Sequence, residues 1–321
     1  MRAVVMREFG PPRVLKLTES ADVRPGQGEV VVDVEFANVT FVETQVRAGN
    51  PPSRAMLPAL PAVLGNGVGG TVAEVGFGVD RGLTGRRVVT SLSGTGGYAE
   101  RAVAPAGQLV EVTGGVPLRN AVALLADGRT ALALVARARL QAGDTVLVEA
   151  AAGGVGTLLV QLARNAGARV VALAGSQAKL AVARDLGAAV TVSYGEAGWP
   201  DQVREAAGDV DVVFDGVGGD TGLAAFGLLR PGGRFCPFGM ASGRFTPVSA
   251  ELADEHRVSV RRAAPLSAAE NTALVRDILS EAAAGRVRPV IGQELDLALA
   301  ADAHAAIEAR AATGKTLLTV T

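Results

Sequence analysis

The run Val146-Leu147-Val148-Glu149-Ala150-Ala151-Ala152-Gly153-Gly154-Val155-Gly156 decides the fold of this chain. Its first part is short and apolar, the pattern of a buried strand. Its second part is built of small residues in the spacing A-x-x-G-x-x-G, at 150, 153 and 156. Residues 157–166 then read as a helix. A strand, a small-residue turn and a helix, in that order, form the fingerprint of a dinucleotide-binding unit. Small side chains let the backbone turn tightly and approach a pyrophosphate. The positive end of the helix then stabilises the phosphate charge. Ala152, Gly153, Gly154, Val155 and Gly156 are therefore the first candidate cofactor residues.

The same alternation continues outward. Residues 169–173 are the next predicted strand and 178–186 the next helix, with Gly167 and Gly187 placed as left-handed helix caps. Strands follow at 190–193, 210–214 and 234–238, and Val258-Ser259-Val260 reads as an edge strand. Continuous apolar strands separated by helices of roughly ten residues mean a parallel sheet covered on both faces, wound right-handed into a doubly wound fold. On the N-terminal side, residues 116–140 are rich in Ala and Leu and read as a helix broken at Asp127-Gly128. Before it, 30–34, 71–75 and 87–90 are short strands between glycine turns, which suits a small barrel or sandwich. A helix at 271–284, a helix near 300–311 and a strand at 316–320 complete the chain. The expected plan is a β-rich domain over 1–117, a dinucleotide-binding domain over 118–264 and a return to the first domain over 265–321.

The choice of cofactor is read at the end of the second strand. An NAD site usually places an acid there, about 20 residues beyond the glycine turn. The segment is Leu173-Ala174-Gly175-Ser176-Gln177-Ala178-Lys179, without an acid. A serine and a lysine suit a 2′-phosphate by hydrogen bonding and charge, so NADPH is the expected cofactor. The segment from Ala309 to Thr316 imitates a P-loop, but an alanine stands in place of the first glycine and only a short strand follows. That order does not support nucleoside triphosphate hydrolysis.

Composition excludes several other classes. The 321 residues carry 31 Lys+Arg against 32 Asp+Glu, a formal net charge of −1, which argues against a nucleic-acid-binding surface. One cysteine, Cys236, allows no intrachain disulfide and no four-cysteine zinc site. Charges interrupt the N-terminal segment, and the longest uncharged run, 55–73, is broken by Pro58, Pro61 and glycines. Neither a signal peptide nor a membrane span is expected, which leaves a cytoplasmic protein as the default. No Gly-x-Ser-x-Gly elbow is present for a hydrolase.

Several short runs stand together: Gly28-Glu29-Val30-Val31-Val32, Gly96-Gly97-Tyr98-Ala99-Glu100, the glycine turn, Val212-Val213-Phe214-Asp215 with Val217-Gly218-Gly219, Gly232-Gly233-Arg234, Phe238-Gly239, His304 and Gly314-Lys315. With them the chain resembles zinc-independent medium-chain dehydrogenases/reductases of the quinone oxidoreductase (ζ-crystallin-like) family, nearly end to end. The resemblance implies a GroES-like catalytic domain, a Rossmann domain inserted in it, and NADPH. Carried over residue by residue, it places Lys179, Tyr194 and Arg310 at the 2′-phosphate with Ser176 nearby. It places Thr130 near the nicotinamide, and Val217, Phe238, Gly239, Met240 and Ser242 around the nicotinamide ribose. Zinc-dependent relatives have a Cys and a Gly-His-Glu segment as metal-site residues. Here Thr40 and Gly65-Asn66-Gly67 stand there, so no metal is expected.

Departures from the family pattern fall on the implied acceptor pocket. Val39-Thr40-Phe41-Val42-Glu43-Thr44 replaces the usual Val-Asn-Pro-x-Asp-Thr, Gln45 replaces a tyrosine, and Asp127-Gly128-Arg129-Thr130 replaces Gln-Gly-Leu-Thr. The expected reaction is hydride transfer to a quinone or another conjugated carbonyl such as an enone. Donors near the acceptor oxygen would lower the barrier as charge develops on it. Thr40, Thr130 and Arg129 are the catalytic candidates; the alternative for Arg129 is a structural pair with Asp127. Two other functions stay open: an enoyl or alkenal reductase of a biosynthetic pathway, and a non-catalytic NADPH-binding protein. His304 is read as a packed histidine, His256 as a surface one and Cys236 as an inert core thiol. The edge strand at 258–260 predicts a homodimer.

Overall fold

A computed structural model describes residues 1–92, 94–262 and 264–320. It divides into two compact units, Met1–Arg129 with Ser267–Thr321, and Thr130–Leu266.

The first unit begins with β1 (Arg2–Met6), β2 (Leu15–Glu19), β3 (Glu29–Val39), α1 (Phe41–Ala48), β4 (Ala62–Val63), β5 (Gly67–Val75), β6 (Arg87–Ser91), β7 (Arg101–Pro105) and β8 (Val110–Glu111). Helix α2 (Leu118–Ala138) carries the chain into the second unit. There β9 (Thr145–Val148), α3 (Gly154–Asn165), β10 (Arg169–Ala174), α4 (Gln177–Asp185), β11 (Val190–Ser193), α5 (Trp199–Ala207), β12 (Val210–Asp215), α6 (Gly219–Phe226), β13 (Leu229–Pro237), α7 (Ala250–Glu255) and β14 (Ser259–Val260) alternate. The chain then returns with α8 (Ala268–Ala283), β15 (Ile291–Asp296), α9 (Ala300–Glu308) and β16 (Lys315–Thr319).

In the first unit β3 is the hub. It pairs antiparallel with β5, β7 and β16, and the sheet runs β15-β16-β3-β5-β6-β8, with a second sheet β2-β1-β4. Alternate residues of β3, among them Val30, Val32 and Val34, turn into one core with Met6, Leu64, Val72, Tyr98 and Leu318. The valines suit this pleated, half-buried surface.

Helix α2 corrects the sequence reading. The expected break at Asp127-Gly128 does not occur; the helix is continuous through both residues. A β-carbon on Gly128 would come within 2.6 Å of Ile278 Cγ1 on α8, so this glycine permits close helix packing instead of turning the chain. That contact offsets the roughly 1 kcal/mol that glycine costs inside a helix.

The second unit is a six-stranded sheet in the order β11-β10-β9-β12-β13-β14, with every neighbouring pair parallel. All six residues of β12 are buried, as a strand covered on both faces requires. The chain winds outward from β9 in both directions, so the strand order reverses between β9 and β12. In such sheets ligands bind beyond the carboxyl ends of the strands at this reversal. The edge strand β14 is two residues long, Ser259–Val260, one fewer than the sequence suggests.

Candidate active site

The turn after β9 explains its own spacing. Ala150 is left-handed, with φ 48°, and its carbonyl accepts the Gly153 N–H at 2.8 Å. A β-carbon on Gly156 would overlap that same carbonyl oxygen, and one on Gly153 would stand 3.2 Å from it. Gly153 begins α3 in an extended conformation without a side-chain cap. The first N–H groups of α3 thus lack a partner of the usual kind and are suited to a phosphate. This cradle fits a dinucleotide diphosphate. Ala152 is buried, while Val155 and the glycines at 153 and 154 are half-buried.

The ends of β9 and β12 carry a second feature, which the sequence reading missed. Glu149 and Asp215 are both fully buried. Glu149 Oε2 accepts the Val217 N–H at 3.0 Å, and Asp215 Oδ1 accepts the Gly218 N–H at 2.7 Å. Asp215 Oδ2 accepts the Thr246 hydroxyl proton. The Asp215 carbonyl receives the N–H groups of Phe238 and Gly239, and the Val217 carbonyl that of Ser242. Two loops, 216–219 and 238–246, are thereby interlocked, and they hold Val217, Phe238, Gly239, Met240 and Ser242 side by side. Burial first, and then the neighbouring Asp215, pushes the Glu149 carboxyl well above the usual carboxylate range. A charged residue closing an apolar strand was the available signal.

Beyond β10 and β11 lie three more candidates. Ser176 N-caps α4, its hydroxyl facing the Lys179 N–H at 3.4 Å. Tyr194 lies against Gly175, where a β-carbon would be 3.3 Å from its ring. Ser176, Lys179 and Tyr194 therefore share one patch at these strand ends. Arg310 lies in the first unit, left-handed (φ 56°) after α9. Thr130 sits in α2, at the start of the second unit.

In the first unit the acceptor-pocket candidates hang on a buried carboxylate. Thr40 N-caps α1, and Glu43 Oε2 accepts its N–H at 2.6 Å. Glu43 Oε1 accepts the Asn66 N–H at 2.7 Å, which fixes the two segments to each other. The Tyr98 hydroxyl bridges Glu43 Oε2, at 3.2 Å, and His304 Nε2, at 3.0 Å. Burial raises the Glu43 pKa. Lys315, itself buried, pairs with Asp127 at 3.1 Å. Asp127 thus has Lys315 as its ion-pair partner instead of the expected Arg129. Arg129 Nη1 lies 3.5 Å from Ser91 Oγ, and burial lowers its pKa. The sequence reading placed Glu43 in the run implied to face the pocket without marking it as the buried anchor, and it did not mark Lys315 as the partner of Asp127.

The two histidines and the cysteine sit as expected. His256 is exposed against Phe226, and Cys236 is buried, its thiol pushed up to about 12. His304 is wholly buried, and desolvation drops its pKa from 6.5 to about 3. The unfolded chain takes up this proton at the higher value and the folded chain only at the lower one. Between them the unfolded state binds more protons, so stability is lost as pH falls through that window. His304→Gln is expected to flatten that acid slope in urea unfolding followed against pH; an unaltered slope would refute the assignment.

Residues 26–114 match the alcohol dehydrogenase GroES-like domain, and residues 154–279 match the zinc-binding dehydrogenase domain. A quinone oxidoreductase of Pseudomonas aeruginosa is 32% identical over 318 residues, covering 97% of each chain. The chain belongs to the quinone oxidoreductase family of medium-chain dehydrogenases/reductases. Another relative is a 2-haloacrylate reductase of a Burkholderia species, 35% identical over 254 residues, 77% of this chain and 75% of that protein. Among solved structures, a mycobacterial protein complexed with NADPH aligns with a TM-score of 0.90 at 34% identity, covering 99% of this chain and 100% of that one. The family includes zinc-binding members, but the donors here do not suit zinc. Thr40 and Asn66 offer a hydroxyl and an amide, and the Asn66 Oδ1 already accepts the Gly94 N–H. Among the described residues no group of three His, Cys, Asp or Glu is placed to hold a metal, and no helix is long and apolar enough to cross a membrane.

Proposed function

We propose that the chain is an NADPH-dependent oxidoreductase that reduces a quinone or another conjugated carbonyl without zinc. The observation that carries this is the cradle at 150–156, where a helix start without a side-chain cap follows a left-handed Ala150 and a glycine that admits no side chain. The family membership and the NADPH complex of the mycobacterial relative support it.

When bound, NADPH supplies the hydride. The chain's own groups bind and orient. The α3 amides hold the diphosphate, and the 216–219 and 238–242 loops receive the nicotinamide ribose. Ser176, Lys179 and Tyr194 would bind the 2′-phosphate. Thr40 and Arg129 would donate hydrogen bonds to the acceptor oxygen as it gains charge, and Thr130 would help hold the nicotinamide half of the cofactor. Solvent provides the proton for an enolate or quinol oxygen.

A second reading favours a conjugated acid or enone over a quinone. The half-buried Arg129 cation suits an anionic oxygen, and one relative is named a 2-haloacrylate reductase. A turnover assay with NADPH against quinones, enals, enones and 2-haloacrylate decides between them. Oxidation of NADPH by at least one class is expected. Tight NADPH binding with no oxidation across the panel would instead support a non-catalytic binding protein.

Cofactor choice has its own test. Lys179→Ala is expected to weaken NADPH binding by roughly tenfold or more and to leave NADH binding nearly unaltered, because only the former loses a charge-assisted phosphate contact. Equal losses for both cofactors would contradict the 2′-phosphate role. A homodimer through the open β14 edge of this sheet is also proposed, although so short a strand offers little to pair with; light scattering at micromolar protein tests it, and a monomeric mass would defeat it.

A further inference from the structure

We propose that Glu149 and Asp215 form a carboxylic acid–carboxylate pair that positions the loops 216–219 and 238–246. Strands β9 and β12 are parallel neighbours with Phe214 opposite Val148, so Glu149 and Asp215 are the next residues on adjoining strand ends. The Glu149 N–H continues the ladder to the Phe214 carbonyl at 3.0 Å. Both side chains are fully buried. Two carboxylates side by side in an apolar interior do not both remain ionised.

The donors assign the proton. Asp215 accepts from the Gly218 N–H and the Thr246 hydroxyl, and Glu149 Oε2 accepts from the Val217 N–H. Glu149 Oε1 is buried with no donor from the protein. One proton on Oε1, donated to Asp215, satisfies this atom and leaves Asp215 as the carboxylate with three donors. Other charged groups on the surrounding elements are engaged elsewhere. Arg244 pairs with Asp220 at the surface, Arg230 with Asp211, and Arg234 with Asp144; Arg169 and Arg164 bind the carbonyls of Ala206 and Leu186.

The consequence is mechanical. The acid holds Val217, the carboxylate holds Gly218 and Thr246, and Val217 in turn holds Ser242. A single shared proton thus ties both loops to the sheet at the strand-order reversal. Glu149 and Asp215 are positioning residues, and their effect on the reaction rests on the reading that these loops receive the nicotinamide half of NADPH. Loss of the proton at alkaline pH sets two charges against each other, releases the loops and weakens NADPH binding.

Three measurements test this. Infrared difference spectra of wild type against Glu149→Gln, without NADPH, are expected to show a protonated-carboxyl band that the variant lacks. Amide exchange at Val217 and Gly218 is expected to be slow in wild type and in Glu149→Gln, and faster in Glu149→Leu, which can neither donate to Asp215 nor accept from Val217. NADPH affinity, titrated calorimetrically against pH, is expected to fall about tenfold on the alkaline side in wild type. The Gln variant, whose amide makes both contacts, is expected to lose that alkaline fall, and the Leu variant to bind about tenfold more weakly at every pH. Absence of the band, or a Gln variant that follows the wild-type alkaline fall, overturns the proposal. A wild type that binds no NADPH at any pH defeats the cofactor reading alone, and the band and the exchange rates then judge the pair by themselves.

Discussion

Gly156→Val is expected to lower NADPH affinity by about 100-fold or more, a loss of roughly 3 kcal/mol, while the chain stays folded. The added β-carbon would overlap the Ala150 carbonyl oxygen and come within 2.9 Å of Ala151 Cα. Both obstacles are backbone, so no side chain can swing aside. The backbone itself is pinned, because the Ala151 N–H donates to the Leu173 carbonyl of β10 at 2.9 Å and the Ala150 carbonyl holds Gly153. Relief requires α3 to slide away from β9, which moves the helix amides off the diphosphate. A displacement of about 1 Å is enough for a large loss when donors are aimed at a fixed charge. Gly153→Ala provides the graded control. Its β-carbon meets the same oxygen at 3.2 Å, and Gly153 has φ −80°, which alanine adopts freely. A loss of about fivefold, near 1 kcal/mol, is expected there. Calorimetry with NADPH, alongside circular dichroism to verify folding, measures both. A folded Gly156→Val protein that binds NADPH within a few-fold of wild type would remove the glycine turn as the cofactor cradle.

What the sequence made legible is local chemistry. Strand β10 is apolar from Val170 to Ala174 and β12 from Val212 to Phe214, and such runs between helices allow little but a covered parallel sheet. The glycine turn reads correctly because its constraint, a carbonyl six residues back, lies within the turn itself. What stayed hidden depends on partners far along the chain. Gly128 looked like a helix breaker because Ile278, which it packs against, is distant in sequence. Asp127 looked like a partner for Arg129, two residues away, until the fold delivered Lys315 from 188 residues away. Residues two apart on a helix do not face each other, so that pairing had weak geometry from the start. Strand β15, IGQELD, escaped notice because it alternates between half-buried and exposed and holds few β-branched residues. Glu149 lay inside the very stretch that fixed the fold, but its meaning needed Asp215 from a different strand.

Glu308→Ala is expected to destabilise the first unit by about 3–5 kcal/mol, the usual cost of stripping one partner from a buried ion pair. Arg47 on α1 is 1% exposed, and its guanidinium makes two contacts to Glu308 at the end of α9, Nη2 to Oε1 at 2.5 Å and Nη1 to Oε2 at 3.3 Å. Its Nε already lacks a partner, so the carboxylate carries most of the compensation. Removing it leaves a cation in a low-dielectric interior with little to replace water. Arg47→Met is expected to cost less, because the remaining Glu308 is partly exposed and can turn to solvent. The double variant should lose less stability than the sum of the two single losses, and a double-mutant cycle in urea unfolding reads that coupling. The effect also reaches the proposed chemistry. Helix α1 starts at Thr40 and carries Glu43, so a loosened α1 disturbs the anchor of Thr40 and Asn66. In the folded Arg47→Met enzyme, KM for the acceptor should therefore rise while NADPH affinity holds. A Glu308→Ala protein as stable as wild type to within about 1 kcal/mol would mean that the pair is solvated in solution and contributes as little as an exposed one.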